Sequence, residues 1–313
     1  MKLLSGLLIV AASMLGGCSP DPEAAGSAPS TMAGPAAADA DYLAQVERWR
    51  SERAEELRDP DGWLSFAGSG QVAAGAHSVG SAPGNAIVLP KGPAKWGTLH
   101  LSGDGRLRFD AAPGSGVTVE GKTFESVPLL TQRDKGGPTS IHAGKQRFYV
   151  VRIGEVHGWR FRDPESPALK AFAGVPHFPV DPSWRIEAEW KAYPQPRKID
   201  LLTSNGTLEP GEVPGEATFQ RDGKRYTLLP ITQEDDEQLF FIIADRTSGR
   251  ETYGGARFLY TPPAHDGRIV LDFNKAQNPP CALNGHVVCP TAPPENRLDL
   301  RVAAGEKTYP LAH

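Results

Sequence analysis

Between Asp272 and Arg297 the chain reads Asp-Phe-Asn-Lys-Ala-Gln-Asn-Pro-Pro-Cys-Ala-Leu-Asn-Gly-His-Val-Val-Cys-Pro-Thr-Ala-Pro-Pro-Glu-Asn-Arg, with five prolines and two cysteines. Proline fixes φ and removes an amide donor, so this stretch cannot be a helix interior or a central strand. So many constrained residues in one irregular loop fix a single backbone shape, which serves either packing or chemistry.

At 313 residues the chain can bury one large core or two modest ones. Its 34 glycines and 29 prolines favour many turns over long helices. A formal net charge of −4 leaves no basic stripe, which argues against nucleic acid as a partner.

The N-terminus sets the expected compartment. Lys2 is followed by an apolar run, Leu3 to Leu15, too short for a stable membrane span. It ends in Leu15-Gly16-Gly17-Cys18, which resembles a bacterial lipobox. That resemblance implies a lipoprotein signal peptide over residues 1–18 and acylation of Cys18. Ser19 in the following position implies sorting to the outer membrane, with the body on its periplasmic face. An ordinary secretory signal with an incidental cysteine is the simpler alternative. Residues 19–40, rich in Ala, Pro, Gly and Ser, read as a flexible tether.

One amphipathic helix is expected, within residues 41–62. Tyr42, Leu43, Val46, Trp49, Arg53 and Leu57 recur at helical spacing, Asp41 is placed to cap it, and Asp59-Pro60-Asp61-Gly62 ends it. From Trp63 onward the pattern is β, and the fold class is all-β, mainly antiparallel sheets of sandwich or barrel-like kind. Short apolar runs between glycine turns suggest a small sandwich over residues 63–145. Gly80-Ser81, Asn85 and Ile87-Val88-Leu89 resemble the opening of a forkhead-associated domain, but Ser81 stands where that family places an arginine. A second β-rich unit is expected over residues 146–313. Trp184 to Trp190 alternates cleanly, Asp222-Gly223 marks a hairpin, and Leu239–Ala244 is an unbroken apolar run expected at the sheet centre. Arg268–Phe273 and Leu298–Val302 are the last expected strands.

Several blocks, in order, resemble a bacterial and archaeal family known only as a domain of unknown function. They are Asp61-Gly-Trp-Leu-Ser, Phe178-Pro-Val-Asp-Pro-Ser-Trp-Arg185, Asp245-Arg-Thr-Ser-Gly-Arg-Glu-Thr-Tyr-Gly-Gly-Ala-Arg257, Asp272-Phe-Asn, Asn278-Pro-Pro-Cys-Ala, Cys289-Pro and Pro293-Pro-Glu-Asn-Arg-Leu298. The resemblance runs from about Tyr42 to the C-terminus and implies a common fold and a common polar site. Thr291-Ala292 departs from the Leu-Pro that the family favours there.

Three constellations carry chemistry. Cys281 and Cys289, eight positions apart, suit a disulfide in an oxidising envelope, a zinc site with His286, or free thiols; no dedicated metal site is expected. Asp245, Thr247, Arg250, Glu251, Tyr253 and Arg257 follow the apolar run and form either a pocket wall or a self-bonded turn. Asp272, Asn274, Asn278, Glu295, Asn296 and Arg297 either line a site or serve the carbonyls of the proline-rich loop. Asp181 and Arg185 flank a strand start nearby.

The expectation is a lipid-anchored envelope protein binding a small molecule, glycan or protein partner through the Asp245–Arg257 and Asp272–Arg297 face. The alternatives are a hydrolase of envelope material using His177, Asp245 and Asp272, or a purely structural component. No Gly-x-Ser-x-Gly elbow, His-Glu-x-x-His or phosphate loop occurs, and no cofactor is expected.

Overall fold

A computed structural model describes residues 35–232 and 238–310. The expected signal peptide, Cys18 and most of the expected tether lie outside the described residues. Among those described, no helix is long and apolar enough to cross a membrane.

Helix α1 spans Pro35–Leu57 and so begins ahead of Asp41, which lies inside it instead of capping it. The reason is local: a proline at the start followed by three alanines is a strong helix opening. Val46 and Leu57 are fully buried on its inner face, while Leu43, expected there, is exposed.

The first β unit is a two-sheet sandwich. One sheet contains β1 (Phe66–Gln71), β6 (Thr118–Val119), β7 (Lys122–Thr123), β9 (Ile141–Ala143), β10 (Gln146–Ile153) and β11 (Val156–Arg162), in the order β1-β11-β10-β9-β6-β7. The other contains β2 (Gly75–Gly80), β3 (Ile87–Val88), β4 (Gly97–Leu101), β5 (Leu107–Ala111) and β8 (Ser126–Leu129), in the order β3-β2-β4-β5-β8. Between them Trp96, Leu99, Phe109, Ile141, Phe148 and Phe161 form a closed core. The β10–β11 hairpin supplies Phe148, Val150 and Phe161 to it. The sheet therefore runs through Arg162, beyond residue 145, because the hairpin buries its apolar face here. Ser81 donates to the carbonyls of Gly92 and Pro93, and Asn85 to those of Ala82 and Ala94, so both are spent on loop structure.

After the short helix α2 (Pro167–Ala171), the second unit is built on a four-stranded antiparallel sheet. It comprises β12 (Arg185–Leu202), β13 (Leu208–Arg221), β14 (Lys224–Leu228) and β17 (Arg268–Asp272), ordered β14-β13-β12-β17. Asp222 and Gly223, both with positive φ (52° and 73°), make the two-residue turn between β13 and β14, which suits a primed turn.

The apolar run forms β15 (Leu239–Ile243), paired with β16 (Arg257–Thr261) in a separate two-stranded ladder rather than at the centre of the main sheet. Its alternate residues serve two cores: Phe241 and Ile243 join one with Trp184, Leu271 and Phe273, while Phe240 and Ile242 join another with Leu201, Val213 and Cys289. A strand buried on both faces reads as continuous hydrophobicity wherever it pairs. Leu298–Val302 is not a strand. Only Arg297 bridges, to Ala244, although Leu298, Leu300 and Val302 alternate into the core. The Val302 carbonyl is taken by the Arg257 side chain instead of a ladder partner.

Candidate functional site

The proline-rich segment threads a short helix α3 (Pro280–Leu283) and several turns across the second unit. Its asparagines act mainly on backbone. Asn296, fully buried, accepts from the Leu229 amide (2.8 Å) and donates to the carbonyls of Leu229 (2.8 Å) and Ile242 (3.0 Å). Arg297 donates to the Ala292 carbonyl, and Glu295 is exposed. These are the bonds a donor-poor loop requires.

The Asp245–Arg257 segment divides in two. Asp245 and Arg257 are buried together: the guanidinium donates to the carboxylate at 2.5 Å and to the carbonyls of Val302 (3.1 Å) and Ala304. The other Asp245 oxygen accepts from the Thr247 amide at 2.6 Å, and the Thr247 and Thr252 hydroxyls meet at 2.8 Å. Glu251 takes Arg301 in a two-pronged pair, and Arg250 is exposed. The segment is largely a self-bonded turn around an internal ion pair.

Sequence reasoning missed the partner that completes this interior. Glu306 is fully buried; it accepts from the Asn278 amide at 2.6 Å and faces Arg53 of α1 at 3.5 Å. Burial pushes its carboxyl up, with Arg53, the Asn278 amide and Arg257 opposing. Arg53 also reaches the Asn278 carbonyl at 3.3 Å, and Asn278 donates to the Lys307 carbonyl at 2.8 Å. The available signal was Arg53 itself, a charge on the apolar face of a helix, which demands a buried anionic partner.

Asp272 and Asn274 form the second contact with α1. The Tyr42 hydroxyl donates to Asp272 at 2.7 Å and accepts from the Asn274 amide nitrogen at 2.9 Å. Asn274 also donates to the Asp181 carbonyl (2.8 Å) and accepts from the Asp181 amide (3.0 Å). Burial, then the hydrogen bond to Asp272, pushes the Tyr42 hydroxyl well above the ordinary phenol range. Arg185 lies opposite Asp272 in the β12–β17 pairing and places its guanidinium 5.9 Å from the Tyr42 ring centre. Beside this network opens a cleft of about 360 Å³, whose walls include Tyr42, Arg185, Arg268, Asp272 and Lys275. Arg268 faces Glu187 at 3.7 Å and Lys275 faces Asp272 at 3.8 Å, whereas Arg185 makes no ion pair among the described residues.

His177, Asp245 and Asp272 are not brought into one constellation. Asp245 is committed to Arg257 and Asp272 to Tyr42. His177 sits against α1 near Arg50, its ring held down to about pKa 4 by burial and then by Arg50. The zinc alternative also dissolves: His286 contacts the Ser69 hydroxyl at 3.2 Å, and among the described residues no group of three or more His, Cys, Asp or Glu could hold a metal. Cys281 and Cys289 are free thiols in the structure, so the expected disulfide is not formed there, although the two side chains are in contact.

These features define a β-rich protein in which one N-terminal helix docks by polar contacts onto a sheet-based unit. Residues 170–307 match a family described as "Protein of unknown function (DUF1684)", a narrower span than the resemblance read from Tyr42 onward. Among solved structures, the solution NMR structure of the uncharacterized protein from gene locus rrnAC0354 of Haloarcula marismortui is 34% identical over a match covering 44% of this chain and 78% of that one, with a TM-score of 0.39. Residues 170–307 thus form a domain of the DUF1684 family. A search of the curated proteins finds no match.

Proposed function

We propose that this is a lipid-anchored envelope protein that binds a small anionic molecule in the cleft beside Tyr42, Arg185 and Asp272. The observation that carries the binding reading is Arg185, a cleft-wall guanidinium without a carboxylate partner among the described residues, next to the anchored Tyr42 ring. Arginine suits planar or bidentate anion recognition. Support for the anchor is the Lys2, Leu3–Leu15 and Leu15-Gly16-Gly17-Cys18 pattern.

The test is a thermal-shift and calorimetric panel of phosphate, carboxylate and sulfated-sugar probes on wild type and Arg185→Ala. Binding by wild type that weakens at least tenfold in the variant, at unchanged melting temperature, supports the reading; equal binding by both proteins ends it. For the anchor, Cys18→Ser should move the protein from the membrane to the soluble fraction and abolish fatty-acid labelling. An enzymatic role for His177, Asp245 and Asp272 is disfavoured, because Asp245 is bound to Arg257 and Asp272 to Tyr42, and the three are not brought together.

A further inference from the structure

Away from the cleft, the fold brings two thiols together. Cys281 sits in α3, directly after Pro279-Pro280, and Cys289 lies on the returning chain. Their proximity is enforced by backbone. The Cys281 amide donates to the Cys289 sulfur at 3.2 Å. The Ser204 amide donates to the Cys289 carbonyl at 2.8 Å, and the Cys289 amide donates to the Ser204 hydroxyl at 3.3 Å. Thr203 and Pro290 form a bridge beside it. The sulfurs are therefore held in contact without needing a bond between them.

The two thiols are not equivalent. Cys289 is only 4% exposed within an apolar cluster, whereas Cys281 is partly exposed. The Cys289 thiol, the Tyr253 hydroxyl and local amides stand as donors around the Cys281 sulfur. The Cys289 hydrogen bond, first among these, holds the Cys281 thiol below its ordinary range, while that same bond and burial push Cys289 up. Tyr253 is seated against Gly255, where a Cβ would stand 2.8 Å from the ring. A thiolate that gathers donors and reaches solvent is the reactive one; a buried neutral thiol beside it is placed to resolve its oxidised form.

We propose that Cys281 and Cys289 are a redox-active dithiol, with Cys281 the attacking sulfur, Cys289 the resolving sulfur, and a hydroperoxide the oxidant. The Cys281 thiolate attacks the terminal peroxide oxygen, and the O–O bond breaks. Two electrons pass from sulfur to the peroxide, and the leaving alkoxide or hydroxide takes a proton from solvent. Cys281 is then a sulfenic acid. Cys289 attacks its sulfur, the S–O bond breaks, and hydroxide leaves with the Cys289 proton as water. The disulfide that results is reopened by an external dithiol through thiol–disulfide exchange. This inference is independent of the anion cleft.

The experiment uses the full-length chain purified in detergent, reduced, then exposed to hydrogen peroxide with and without dimedone. Wild type should lose two hydrogens, with the Cys281–Cys289 bridge found by peptide mapping, and dithiothreitol should reopen it without denaturant. Cys289→Ala should give a dimedone adduct on Cys281, formed at least tenfold faster than any adduct on Cys289 in Cys281→Ala. Tyr253→Phe should slow it severalfold. If Cys289→Ala fails to fold, differential alkylation of the two thiols in reduced wild type reads the same order. Equal reactivity of the two sulfurs overturns the proposal. So does a bridge that dithiothreitol opens only after unfolding, which would make it a permanent structural link.

Discussion

The guanidinium of Arg257 lies wholly inside the protein, between the Asp245 carboxylate and the carbonyls of Val302 and Ala304. Burial alone would lower its affinity for a proton, and Asp245 is the first group to restore it. Removing one member of such a pair strands the other charge where water cannot reach it. Asp245→Ala is therefore expected to destabilise the fold by about 3–5 kcal/mol in chemical denaturation. Arg250→Ala, five residues on and exposed, should stay within about 0.5 kcal/mol of wild type. Comparable losses at both positions would contradict the division of this segment into buried pair and surface turn. Asp245 and Arg250 carry similar polarity in the sequence, and only the location of a distant partner separates scaffold from surface.

At the scale of elements, α1 is held to the second unit by three polar anchors, Tyr42, Arg50 and Arg53. They reach Asp272 and Asn274, the Phe178 carbonyl, and Glu306 with the Asn278 carbonyl respectively. Tyr42→Phe keeps the ring but leaves Asp272 and Asn274 without the hydroxyl, at a cost of about 1–3 kcal/mol for the unmet groups. Amide exchange should accelerate in α1 while the β10–β11 hairpin stays protected; uniform acceleration would mean the helix is not separately anchored. Strand identity was legible where alternation meets one core, as in Trp184–Trp190, and at Asp222-Gly223, where the turn chemistry is local. It was not legible for Leu239–Ile243, because burial on both faces erases the period that would say which strand it pairs with. Nor was it legible for Leu298–Val302, whose alternation is real but whose Val302 carbonyl serves a side chain. The Asp272–Asn274 site was found as residue types, while its completion by Tyr42, more than two hundred positions away, depends on tertiary docking.

Across the whole molecule, the joint under α1 should tie stability to pH. Residues 176–178 run beside 305–307: the Phe178 amide donates to the Gly305 carbonyl at 2.9 Å, the Lys307 amide donates to the Pro176 carbonyl at 2.8 Å, and His177 bridges Glu306. Burial first, then Arg50, depresses the His177 ring to about 4, although a hydrogen bond to the Val175 carbonyl and the nearby Glu47 oppose this. The unfolded chain titrates this histidine near its ordinary value of 6.5, so between the two values the unfolded state binds the extra proton. The neutral ring's contribution is thus full above pH 6.5 and is lost as pH falls toward 4. Glu306, whose carboxyl is raised, has the opposite sign: the folded state keeps its proton longer, and the associated stability is lost as pH rises through the elevated value. Replacing the titrating ring isolates the first effect from every carboxylate in the chain. His177→Gln should show a shallower fall in melting temperature from pH 7 to 4.5 than wild type. Because the ring keeps partial exposure and its full equivalent is screened, the difference between the curves should reach about 1 kcal/mol, or about 2–4 °C. Parallel curves would show that His177 titrates alike in both states, and that the joint beneath α1 does not exclude its proton.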